Sequence, residues 1–131
     1  MSIGRLARGA FAVAAGYILF AIPVAALYTL TGHEPPAPAS LAFKVLSTLY
    51  GVAIAIGAGY VAAFIGSHAA PAAPAVLAGL IALGAVISSA MVPAGGVIWS
   101  QAVAALLMAP AAMLGGLLRR RRRRGPRARP P

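Results

Sequence analysis

Residues 41–66 read LAFKVLSTLYGVAIAIGAGYVAAFIG, twenty-six positions with one charge, Lys44. A helix of that length reaches about 39 Å, more than the roughly 30 Å of hydrocarbon in a bilayer. The run is continuously apolar, whereas strands of a membrane barrel alternate apolar and polar residues. Residues 41–66 therefore read as a membrane-spanning helix.

Three further stretches read the same way, over about 9–31, 75–92 and 97–118. The breaks between them are chemical. Gly32 and the prolines at 35, 36 and 38 end the first, Pro71 and Pro74 separate the second from the third, and Pro93 with Gly95 and Gly96 turns the chain into the fourth. Proline lacks the backbone donor a helix needs, and glycine favours turns. Pro23 and Pro110 lie inside spans and are expected to kink them. The expected fold is all-α, an integral membrane four-helix bundle over residues 1–118 with short connections. An Arg-rich, disordered basic tail over 119–131 follows. Connections this short make consecutive helices antiparallel neighbours.

Composition agrees. Of 131 residues, 33 are alanine and 15 glycine; 61% are hydrophobic, 9% are charged, and the mean hydropathy is +0.90. Soluble domains of this size carry about a quarter charged residues, and disordered chains are polar. Zero cysteines remove disulfides, thiol catalysis, thiolate metal sites and Cys-linked lipid anchors. One acid, Glu34, excludes paired-carboxylate catalysis and any Ser-His-acid set. His33 beside Glu34 lacks a third ligand nearby, and Gly57-Ala58-Gly59 sits mid-span without a preceding strand, so neither reads as a metal or dinucleotide site. No enzyme activity, cofactor or metal is expected.

The basic residues set the orientation. Arg5 and Arg8 precede the first span and eight arginines follow the last, while the connections expected on the other side hold no Lys or Arg. Basic residues resist translocation, so both termini are expected in the cytoplasm. The initial apolar stretch, at about 22 residues, exceeds the 7 to 15 of a secretory signal and reads as a span. Arginine outnumbers lysine ten to one amid abundant Ala, Gly and Pro, which points to a GC-rich bacterial genome and to the bacterial plasma membrane.

Small residues set the expected packing, because close approach rather than apolar burial holds helices together in lipid. Gly51, Ala55, Gly59 and Ala63 recur every four residues and form one continuous stripe on the second span. Polar residues set the expected site. Lys44, Ser47, Thr48 and Gly51 share one helix face. With Ser88, Ser89 and Gln101, and Glu34 as a partner for Lys44, they outline an outward-facing polar pocket for an anionic or hydroxylated ligand. The plainer alternative is an interfacial belt, with Lys44 snorkelling and Tyr28 and Trp99 at headgroup depth.

Arg119, Arg120, Arg121, Arg122, Arg123 and Arg124 are expected to stop translocation and contact anionic lipid head groups. Nucleic acid is the weaker partner for them, since removing the eight tail arginines lowers the net charge from +10 to +2 and leaves no basic domain. The size and short connections resemble small multidrug-resistance transporters, which work as dimers. That family's membrane-embedded Glu in the first helix has no counterpart here, because Glu34 lies beyond the span. The leading expectation is a non-enzymatic accessory or scaffold subunit that acts through helix packing, in a homo-oligomer or a larger membrane complex. The alternative is a small oligomeric transporter or channel using the outer polar cluster.

Overall fold

The computed structural model describes residues 2–33, 38–94, 96 and 98–125. Four helices, α1 (Ile3–Thr31), α2 (Leu41–Gly66), α3 (Ala73–Ala90) and α4 (Trp99–Arg123), are each long and apolar enough to cross a membrane. Local chemistry fixes their ends. Gly32 closes α1 in the left-handed region at φ 69°, where glycine carries no penalty. The Ser40 hydroxyl accepts the Phe43 N–H at 3.2 Å and caps the start of α2. Pro74 stands in the first turn of α3, where its missing donor costs nothing.

Two helices run beyond their apolar stretches. α1 starts at Ile3 and includes Arg5 and Arg8. α4 continues through Arg123, so the first five residues of the expected disordered tail are helical. Arginine is a good helix former, and cations in a last turn complement the helix dipole. Residues 126–131 of that tail lie outside the described residues.

Neither internal proline ends its helix. Residues 104–108 of α4 form a π-turn, with the Ala109 N–H donating to the Ala104 carbonyl five residues back. Pro110 follows at once, so the widened turn sits where proline withdraws a donor from the ladder. α1 passes through Pro23 unbroken.

α2 is central: it packs against α1, α3 and α4. α3 also touches α1 and α4, whereas no backbone contact joins α1 to α4. The interior is made of small residues. Ala12, Ala55, Ala58, Ala62 and Ala112 are fully buried, and Leu77 is the largest side chain that is. Phe11, Ile22, Leu49 and Leu106 are instead exposed, Leu106 at 73%. A water-soluble domain buries its large apolar side chains. The inverse arrangement suits a lipid surround, where small residues let helices meet closely.

Closest approach occurs between α2 and α4. A Cβ on Gly59 would overlap the Ala112 carbonyl, and one on Gly115 would overlap the Ile56 carbonyl. Gly51 makes room for the Met108 side chain. Of the four-residue stripe on α2, Gly51, Ala55 and Gly59 are buried and Ala63 is half-buried.

The start of α1 and the end of α4 meet at one end of the bundle. Arg8 donates to the Ile65 carbonyl at 2.8 Å, and Arg123 donates to Ser67 Oγ at 2.9 Å, both beside the α2–α3 connection.

Candidate functional site

The gap left between α1 and α4 is a cavity of about 490 Å³, in the half of the bundle away from the arginines. α1 contributes Phe20, Val24 and Tyr28, α2 contributes Ser47 and Tyr50, α3 contributes Ile81 and Ser88, and α4 contributes Ser100, Gln101 and Met108. Its walls are mainly apolar and its polar groups are hydroxyls and one amide. No Asp, Glu, His, Lys or Arg among the described residues lines it.

Those polar groups are held in place. Ser47 is buried, and its hydroxyl donates to the Lys44 carbonyl at 3.2 Å within α2. Three positions on, Tyr50 crosses to α1, its Oη donating to the Pro23 carbonyl at 3.2 Å. Gln101 is only 6% exposed, and its Oε1 accepts the Ser100 hydroxyl at 2.8 Å. Tyr28 of α1 and Ser100 of α4 both line the cavity where the two backbones stay apart.

Beside the cavity stands an aromatic cluster. Phe43 packs edge-on to Tyr28, at 6.0 Å between ring centroids, and to Trp99, at 6.3 Å. His33 stacks on Phe43 at 3.7 Å and its Nδ1 is 3.1 Å from the Thr31 carbonyl. These rings tie the ends of α1, α2 and α4 together.

The expected pocket residues divide between the two features. Ser47, Ser88 and Gln101 line the cavity. Lys44 does not: its Nζ lies 5.8 Å from the Trp99 ring, in the aromatic cluster. Thr48 is half-buried and returns its hydroxyl to the Lys44 carbonyl at 2.6 Å. Ser89 returns its own to the Ala85 carbonyl at 2.8 Å. Neither lines the cavity. Glu34 lies outside the described residues. The cavity thus gathers Ser47, Ser88 and Gln101 of the expected residues and adds Tyr50 and Ser100, while Lys44 stands outside it.

Sequence reading placed Tyr28 only in an interfacial belt and passed over Tyr50. A signal was present for Tyr50, which is three residues from Ser47 and next to Gly51 on the same face.

Comparison of the chain with protein-family models, curated proteins and solved structures gave no match.

The expected lipid-contact arginines are not equivalent either. Arg119 stacks across α2, its guanidinium 4.8 Å from the Phe64 ring centre and 5.7 Å from that of Tyr60. Arg120 donates to the Pro71 carbonyl, and Arg123 donates to Ser67 and to His68. Arg121, Arg122 and Arg124 are exposed.

Proposed function

We propose that this chain is a non-enzymatic accessory or scaffold subunit of the bacterial plasma membrane, working by binding another membrane component. The observation that carries this reading is the uncharged lining of the cavity. Ionisable groups inside a membrane mark ion and substrate pathways. Here the one such group among the described span interiors, Lys44, sits on Trp99 instead. Hydroxyls and an amide between apolar walls complement an uncharged amphipathic partner, whether a lipid or a helix of a second protein.

Both termini are cytoplasmic in this reading. The meeting of Arg5 and Arg8 with Arg119–Arg124 at one end supports it, because basic residues stay on the cytoplasmic side. The same residues favour contact with anionic lipid head groups.

Extraction into native nanodiscs followed by intact mass measurement tests the proposal. A foreign subunit in fixed stoichiometry is the expected result. Protein recovered alone, or solute flux through liposomes containing only this chain, overturns it. The cavity's size favours a second reading as a small oligomeric transporter or channel, for which a homo-oligomer with measurable flux is the expected result.

A further inference from the structure

At the arginine-rich end, α1 and α4 each place an arginine at the end of α2 and the connection that follows it. From α4, Arg123 donates Nη2 to Ser67 Oγ at 2.9 Å and places Nη1 3.1 Å from His68 Nε2. From α1, Arg8 donates Nε to the Ile65 carbonyl at 2.8 Å. A guanidinium only donates, so a hydrogen bond between Arg123 and His68 uses the lone pair on the imidazole Nε2. Two clefts open here, of about 450 and 420 Å³. Arg5, Arg8 and Arg123 line the first, and Arg119, Arg120, Arg123 and Arg124 line the second. Ser67 and His68 wall both.

Six guanidinium groups from the two ends of the chain thus surround one hydroxyl and one imidazole. The described residues contain no Asp or Glu to neutralise them. Neighbouring like charges repel by about 1 kcal/mol at 4 Å in water, and by more where water is excluded. The backbone is also held out of its preferred range, since Ser67 has φ 45° and ψ −129° without being glycine. Backbone held in such regions costs about 1–3 kcal/mol and is found where a ligand is clamped.

We propose that the cleft between Arg5, Arg8 and Arg123 binds a phosphate group, while the Ser67 hydroxyl, which donates to the Phe64 carbonyl at 2.7 Å and accepts from Arg123, holds Arg123 in place. Phosphate oxygens accept the paired donors of a guanidinium fork, and their charge offsets the repulsion among the arginines. A lipid headgroup bearing a phosphate monoester and a soluble phosphorylated molecule offer the same chemistry. The site rests on the headgroup contact proposed above for the same arginines and narrows it to one cleft, while no residue of the cavity takes part.

The full-length protein in nanodiscs tests this in two arms. In neutral phosphatidylcholine, inorganic pyrophosphate is titrated by calorimetry. In phosphatidylcholine containing phosphatidic acid, retained anionic lipid is counted by native mass spectrometry. Binding is expected in at least one arm, and the arm that shows it identifies the source. Arg8→Gln and Arg123→Gln each weaken it about tenfold, as expected for a lost charge-assisted contact. Arg121→Gln and Arg122→Gln remove the same charge from the same end without lining either cleft, and they weaken it by less than about threefold. Arg5→Gln supplies a variant with no structural role, because Arg5 has no side-chain partner among the described residues; it weakens binding while leaving helicity and melting unchanged. Absence of binding in both arms, or equal losses from the cleft variants and from Arg121→Gln and Arg122→Gln, overturns the site.

Discussion

Gly59 and Ala112 meet backbone to backbone: a Cβ at position 59 would fall on the Ala112 carbonyl. The reciprocal relation holds one turn on, between Gly115 and the Ile56 carbonyl. The α2–α4 seam is therefore set by absent side chains, and its strength depends on dispersion across a short distance.

Gly59→Ala should destabilise the fold by about 1–3 kcal/mol, because a helix backbone has to move aside. Gly51→Ala should cost less, since the atom in the way belongs to the flexible Met108 side chain. Gly57→Ala meets nothing within 4 Å and should be neutral or stabilising, by up to about 1 kcal/mol of helix propensity. Unfolding in mixed micelles would rank the three. Equal effects would show that the close approach at Gly59 does not hold the bundle together.

Tyr50→Phe removes the hydroxyl that ties α2 to the Pro23 carbonyl. Side-chain hydrogen bonds between membrane helices average about 0.6 kcal/mol, and a loss near that size is expected. A loss above about 2 kcal/mol in the same unfolding assay would show that the tyrosine also closes the cavity wall.

Trp99 is the only tryptophan, so its fluorescence reports on the Lys44 contact without interference. Lys44→Met should shift the emission of Trp99 and cost about 0.5–2 kcal/mol, as for a half-buried cation–π pair. Partner recovery in nanodiscs should be unchanged, because Lys44 does not line the cavity. Loss of the partner would return Lys44 to the centre of the site.

The chain has no cysteine, so single-cysteine variants report topology cleanly. Ser2→Cys and Gly125→Cys should react with an impermeant maleimide from the cytoplasmic side, and Pro38→Cys from the opposite side. Labelling of positions 2 and 125 from different sides would overturn the shared orientation of the termini.

Much of the fold was legible in the chain because bilayer length and backbone chemistry act locally. Runs of apolar residues set four helices, and Gly32, Ser40 and Pro74 act on their own or adjacent turns. At two ends the helices outrun the apolar stretches for a related reason. Apolarity marks where lipid solvates a helix, but helix formation continues through Arg5 and Arg123 because nothing there breaks the backbone ladder.

The site was less legible. Ser47 and Gln101 share the cavity although 54 positions separate them, and Tyr50 finds its partner 27 residues away. Spacing gives the face on which Lys44 lies, but the side chain is long enough to leave that face for Trp99. The sequence alone determined the number of helices long and apolar enough to cross a membrane, their breaks and the end of the bundle that gathers charge, since each follows from the chemistry of nearby residues. Only the tertiary structure decided that α2 and α4 touch while α1 and α4 stand apart. Van der Waals contact depends on how whole surfaces fit, and in a chain so rich in alanine and glycine many seams satisfy the same local pattern.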